Sequence, residues 1–353
     1  MFQLIKELTE IPGMAGREEA VQEYLIRKWK PHCSEIRKTG VGNVIAKIGG
    51  QGPKLLIESH ADEIGCIVKG FSGEGMIWVA PKNSLAGRPG KDIHLLGQPC
   101  VIQTAGEPVE GIFATASGHN IPDDLREKNP IGWNDFFIDI GSRDLQETKA
   151  KGIQIGDTVV WNPPTRQLGH HIIGKAMDDR AGLAIMTKLL ESIDPSSLPF
   201  ELYFASTVME EIGLIGAHSI GREIDFDYCI ALDVGLSGDI PLVDSREVEC
   251  CLGGGPTIVH HDGAVHYDTF LTRHIIRTAG KADIPIQHGV FTHYASDGHA
   301  MILSGVPSAL IAFPARYTHS PYEMIDESDV SACVDLLKIL IQTPLKKEIG
   351  GTV

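Results

Sequence analysis

The chain is predicted to fold as an α/β protein, a mixed-sheet α/β/α sandwich carrying an inserted β domain. Three observations point there. Apolar runs such as KLLIESH, ELYFASTV and DYCIALDV are bounded by turn or polar residues and alternate with helical periods, as buried strands under helices require. From about residue 67 to about 164 the helical periods give way to short β-like runs among Gly, Pro and Asn turn signals. Acidic residues and histidines recur just where the apolar runs stop, the carboxyl-end position at which open α/β sheets carry their chemistry.

The elements follow in order. Residues 2–10 read as a helix, broken by Pro12-Gly13, and a longer helix runs from Glu18 to Trp29 with Val21, Leu25, Ile26 and Trp29 on one face. A strand pair follows, VGNVIAKIGG and then KLLIESH. The middle segment contributes MIWVA, HLLGQPCVIQT, FFIDI and DTVVW. After HHIIGKAMDDR the pattern returns to a helix (AGLAIMTKLLESI), the strands ELYFASTV and DYCIALDV, a helix (HYDTFLTRHIIRTAGKA), the strand ALIAFPA and a closing helix, DVSACVDLLKILIQT. The division expected is a sandwich of residues 1–66 and 165–353 around an inserted β domain of residues 67–164.

Composition narrows the function. With 353 residues, 42% hydrophobic and 22% charged, the chain has the make-up of an ordered globular protein large enough for two domains. A formal net charge of −15 repels phosphate backbones and anionic lipid, so neither nucleic acid nor membrane is an expected partner; bound cations would offset part of it. The amphipathic, mixed-charge N-terminus is unlike a secretory signal. The most apolar window, CVDLLKILI, is cut by Asp335 and Lys338, short of the roughly 18–20 apolar residues of a membrane span. Seven scattered cysteines without a C-x-x-C spacing fit reduced thiols in a cytoplasmic enzyme.

Five motifs place acidic residues or histidine at a strand end or a loop-to-helix start: SHADEIG, KAMDDRAG, TVMEEIG, ALDVG and RYTHSPYE. Each admits a plainer reading alone. His60 could be an ordinary hydrogen-bonded histidine, Asp178 and Asp179 a helix cap with a first-turn carboxylate, Glu210 and Glu211 a strand running into solvent, and His319 a turn residue before Pro321. Jointly they offer the mixed N and O donors that two divalent ions require, and buried carboxylates converging without a cation would each cost several kcal/mol. Adjacent Glu210 and Glu211 can both face one site only if the strand has ended in a turn, and Gly213 supplies the exit.

As an ordered set, LTEIPGMAGRE, SHADEIG, KAMDDR, VMEEIGLIGA, ALDV, GGGP and SGVPSALIAFPARYTHSPYE resemble the tetrahedral aminopeptidases, the cobalt- or zinc-dependent glutamyl and deblocking aminopeptidases, some of which carry an endoglucanase label. The resemblance covers essentially the whole chain. It implies a phosphorylase/hydrolase-like α/β sandwich with an inserted β-barrel-like, PDZ-like domain used in dimerisation, and homo-oligomers in which dimers build a hollow dodecamer. It implies two divalent ions per subunit, zinc or cobalt and in some settings manganese: His60 and Asp233 on one, Glu211 and His319 on the other, Asp178 bridging. Glu210 would be the catalytic base and Asp62 a supporting carboxylate that accepts the His60 imidazole N–H. It also implies a cis peptide between Asp178 and Asp179.

The activity so implied is removal of the N-terminal residue from peptides with a free amine. A hydroxide shared by the two ions attacks the carbonyl while Glu210 carries the proton to the leaving nitrogen. Two other readings stand beside it, hydrolysis of another amide or a glycoside, and a non-catalytic assembly protein that uses the β domain. The chain departs from the family pattern in having Ser59 before His60, where relatives usually have alanine. HYASDGHAM replaces a Gly-Gly-Thr-Asp-Ala run, keeping Asp297 and adding His293 and His299 near the expected substrate pocket. The glycine-rich loop CLGGGPTIVHHDG is open to a structural or a pocket-shaping reading, the former favoured by its turn chemistry.

Overall fold

The computed structural model describes residues 1–82, 95–116, 122–123 and 132–345. Helices α1 (Phe2–Thr9) and α2 (Glu19–Trp29) open the chain, followed by β1 (Glu35–Lys38), β2 (Val44–Gly49) and β3 (Lys54–His60). Six strands come next: β4 (Gly65–Phe71), β5 (Ile77–Lys82), β6 (Pro99–Gln103), β7 (Val109–Ala114), β8 (Phe137–Asp139) and β9 (Thr158–Trp161), with the short α3 (Leu145–Ala150) before β9. His94, the first residue of one expected β-like run, lies outside the described residues. The chain then forms β10 (Arg166–Leu168), β11 (His171–Gly174), α4 (Met177–Leu190), β12 (Glu201–Thr207), α5 (Ile215–Glu223) and β13 (Tyr228–Leu236). It closes through β14 (Thr257–His261), α6 (Thr269–Lys281), β15 (Gln287–Val290), α7 (Asp297–Leu303), β16 (Ser308–Arg316), β17 (Glu323–Asp326) and α8 (Glu327–Leu340).

The main sheet runs β1-β2-β12-β3-β13-β16-β17-β11-β10, with β14 on β16 and β15 on β14. Its centre is covered on both faces, and the two-residue side-chain period sorts each strand accordingly. On β3, Leu55 and Ile57 join the core formed with α1, α2, α4, α6 and α8. Leu56 points the other way, to Ile220 of α5 and Met301 of α7. This double burial is why the central strands read as unbroken apolar runs instead of alternating ones. Strands β12, β3, β13 and β16 are mutually parallel, so their carboxyl ends share one edge of the sheet.

One expectation needs correction. β2 and β3 are consecutive but not paired: β12 lies between them, antiparallel to β2 and parallel to β3. The connection from β2 to β3 wraps the start of β12, with Gln51 N donating to Leu198 O and Glu201 N to Pro53 O. Gly50 and Gly52 permit it, because a Cβ on either would stand 2.0 Å from Phe200 O or 2.4 Å from Pro199 O. The polar or very short strands β1, β10, β11, β14 and β15 carry no clear apolar run, and none of them is expected from the sequence.

Strands β4 to β9 close into a separate barrel in the order β4-β5-β8-β7-β6-β9. Its core holds Val68, Ile77, Val79, Ile102, Phe113, Ile138 and Val159. It meets the sandwich where Met14 packs with Val101 and Val160 and bridges to Glu63, just beyond the end of β3. All seven cysteines are free thiols. No helix among the described residues is long and apolar enough to cross a membrane.

Candidate metal centre

The common carboxyl edge of the parallel strands collects the residues singled out by the sequence. His60 is the last residue of β3. Asp233, on β13 two residues beyond Ala231, which pairs with Glu58, lies level with it. Beyond β12 the chain turns at once: Met209 is left-handed at φ 56°, Gly213 at φ 122°, and the N–H groups of Gly213 and Leu214 both return to Glu210 O at 2.9 Å. Both glutamates therefore sit in a turn and can face one site. His319, φ 60°, lies in the turn after β16. Asp178 opens α4, its peptide bond to Asp179 is cis, and regular helical dihedrals begin only after Asp179.

Two three-residue sets result, His60 with Asp178 and Asp233, and Asp178 with Glu211 and His319. In each set one ligand atom per residue lies within 4.8 Å of the others. Asp178 is common to both, with Oδ1 2.9 Å from His60 Nε2 and Oδ2 3.4 Å from His319 Nε2. Glu211 Oε1 stands 3.2 Å from that same His319 nitrogen. Glu210, bordering both sets, brings Oε2 to 4.0 Å from His60 Nε2.

Asp62 is fully buried and does something the sequence reading does not anticipate. Its Oδ1 accepts from Glu210 N at 3.0 Å and its Oδ2 from Glu211 N at 3.0 Å, so it fixes the main chain of the glutamate turn. The expected bond to the imidazole is not formed at hydrogen-bond length: His60 Nδ1 lies 3.5 Å from Oδ1, longer than a good N–H···O contact.

The electrostatics are those of too little positive charge. Burial, which alone would lower an imidazole, is overridden at His60 by the bond to Asp178 and the nearby Asp62 carboxylate, and at His319 by Glu211 and Asp178; both histidines are driven well above their ordinary range. Asp178 goes the other way: burial would raise it, but bonds to His319 and His60 hold it below the usual carboxylate range. Burial pushes Glu210, Glu211 and Asp233 up, with neighbouring carboxylates adding to the effect. Asp179 Oδ1 and Asp297 Oδ1 are buried with no hydrogen-bond partner. Lys175 and Arg180 lie close by but serve Glu63 and main-chain carbonyls. Such a group of buried carboxylates fits divalent cations held by imidazole and carboxylate donors.

Several residues gain a role that sequence alone did not give them. Ser59 donates to Asp179 Oδ2 at 2.5 Å, and His60 N donates to the same oxygen at 3.3 Å, tying the last turn of β3 to the start of α4. Gly182 leaves the room for this, since a Cβ there would lie 2.6 Å from Ser59 Oγ. Glu323, within the RYTHSPYE motif, accepts from the N–H of Asp178 at 3.0 Å and of His319 at 2.9 Å; burial, then the Asp178 charge, pushes its carboxyl up to about 8. Tyr294 donates to Val234 O at 2.8 Å, beside Asp233. Asp297 opens α7 and accepts a short bond from Thr207 Oγ1, its carboxyl raised to about 6 by burial. His293 is exposed. His299 lies on α7 and faces His218 of α5, whose imidazole is lowered by burial and then by His299. The glycine-rich loop is structural: Gly253 N and Gly255 N both donate to the Asp329 carboxylate, at 2.8 and 2.7 Å.

Residues 42–336 match the M42 glutamyl aminopeptidase family. A protein of Acetivibrio thermocellus, named only provisionally as an aminopeptidase, is 32% identical across 96% of this chain and 97% of its own. Among solved structures, an aminopeptidase of the archaeon Desulfurococcus kamchatkensis superposes with a TM-score of 0.90 at 30% identity, covering 98% of this chain and 95% of the other. The TET1 peptidase of Pyrococcus horikoshii, which can assemble into a tetrahedron or a large octahedral shell, gives 0.86 at 26% identity over 96% and 98%. The chain belongs to the M42 family of aminopeptidases.

Proposed function

We propose that this aminopeptidase uses two divalent cations, zinc or cobalt, to remove the N-terminal residue from peptides that carry a free amine. The observation that carries the reading is the sharing of Asp178 by two ligand sets, His60 and Asp233 on one side and Glu211 and His319 on the other. Cations bound there would lower the pKa of water towards about 7 and polarise the scissile carbonyl. Glu210 is the general base: Oε2 takes the proton of the attacking water and returns it to the leaving nitrogen, a contribution of about 10²–10⁴-fold. Its carboxylate is aimed by the turn that Asp62 holds through the N–H groups of Glu210 and Glu211. Asp62 therefore acts by positioning the base and a ligand together.

The same negative surroundings suit capture of the substrate's α-ammonium. Exposed apolar side chains on the barrel, Trp78 and Ile112 among them, support a homo-oligomer built through residues 67–164, with dimers assembling into a dodecamer. The free thiols fit a reducing cytoplasm. The test is turnover of a panel of aminoacyl-p-nitroanilides by metal-stripped protein, before and after cobalt or zinc, with Glu210→Gln alongside. Metal-dependent release that is lost in the variant is the expected result. No turnover of any free-amine substrate by protein with bound metal would overturn it and favour another amide substrate or a binding role.

A further inference from the structure

β17 lies between the two strands that lead into the centre. On one side it pairs with β11, Glu323 opposite Gly174, and β11 continues through Lys175 and Ala176 to Asp178. On the other it pairs with β16, Met324 opposite Arg316, and β16 runs out through Tyr317 to His319. Both exits are irregular. Ala176, Tyr317 and His319 all have left-handed backbones, φ 52°, 63° and 60°, a conformation that non-glycine residues keep only where their surroundings over-determine it. Glu323, 2% exposed, spends one carboxylate oxygen on each exit, Oε2 on Asp178 N–H and Oε1 on His319 N–H.

The other ligand set has different support. His60 ends a strand paired in register up to its last residue, and Asp233 lies inside β13, opposite Ala312 of β16. Regular ladders hold both main chains. Glu211 and His319 stand in turns, the first held by Asp62 and the second by Glu323.

We propose that Glu323 is a positioning residue acting chiefly on one cation of the pair: it locks the backbones of Asp178 and His319, two of the three members of the set Asp178, Glu211 and His319, but only the shared Asp178 in the set His60, Asp178 and Asp233, whose other two members stand on paired strands. This rests on the two-cation reading above. Its bonds to Asp178 and His319 run to main-chain N–H groups, and it acts through them. The glutamine variant keeps the volume but turns an NH₂ towards one of those donors.

The test is cobalt titration of the metal-stripped full chain, by calorimetry and by the visible cobalt spectrum, for wild type, Glu323→Gln and Glu323→Asp. Wild type is expected to take up two ions. In Glu323→Gln one ion should bind about 10–100-fold more weakly, the scale on which outer partners tune metal affinity, and the other, which loses only the support of the shared Asp178, should be weakened distinctly less. Glu323→Asp, which keeps the charge but shortens the reach, should fall between them and serves alone if the glutamine variant fails to fold. Two ions at wild-type affinity in a folded variant, or equal weakening of both, would overturn the inference and leave the metal centre standing. Wild type that binds no cobalt would overturn the centre and the clamp together.

Discussion

The sandwich and the barrel solve opposite problems with the same kind of strand. In the sandwich, the groups that hold neighbouring elements together are also the groups at the site: Ser59 and Asp179 join β3 to α4, Asp62 pins the glutamate turn, and Glu323 joins two strand exits. In the barrel the cohesion is apolar, centred on Phe113, Ile138 and Val79, and its buried thiols are inert, Cys100 being pushed up to about 12 by burial. Stability and chemistry are therefore coupled in one region and separable in the other.

The largest expected effect is chemical. Glu210→Gln should lower kcat by about 10²–10⁴-fold with the melting temperature of the metal-free protein unchanged; full activity would remove Glu210 from the mechanism. Next is a barrel substitution, Phe113→Ala, which should cost about 3–5 kcal/mol in urea unfolding. Its kcat per folded subunit should stay at the wild-type value, and a parallel fall in kcat would break the separation of the two regions. Gly182→Ala probes the coupled region. The new methyl meets Ser59 Oγ and the Asp179 carboxylate, so a loss of about 1–3 kcal/mol should come with weaker cobalt binding by calorimetry.

The smallest effect belongs to Asp239, whose carboxyl is held at about 2, chiefly by the Arg316 guanidinium. Because this folded value lies below the ordinary one, the pair's contribution is present above about pH 4 and disappears as pH falls through 2. The pair lies at the surface and is only partly covered, with side chains 21% and 26% exposed, so Asp239→Asn should cost about 1 kcal/mol or less at neutral pH. Unfolding curves of the two proteins should converge in acid; a difference that persists there would assign the loss to packing.

Much of this contrast is legible in the sequence. The central strands announce themselves because burial on both faces requires continuous apolar runs, and the ligand candidates because carboxylates at the ends of such runs need compensation. What is lost is non-local. Nothing in VGNVIAKIGG or KLLIESH says that β12, more than 140 residues further along the chain, will come between them. Glu323 does leave a faint signal: Glu323 and Ile325 alternate with the less buried Met324 and Asp326, so a carboxylate occupies an inward position. Its partners are main-chain N–H groups, which no side-chain pattern encodes. Ser59 looks like a departure at a ligand position, yet its hydroxyl meets Asp179, and only the fold brings the two together.

The insertion of the barrel between His60 and Asp178 also sets a clock. The two residues are 118 positions apart, so at synthesis rates of 5–20 residues per second His60 emerges roughly 6–24 s before the aspartate it meets. His319 is made later still, after every other ligand candidate. On the proposed assignment a nascent chain stopped before residue 319 could offer only the set His60, Asp178 and Asp233. Occupancy by a second ion would thus report that translation had passed the last ligand, making metal content a measure of chain completion as well as of catalytic readiness.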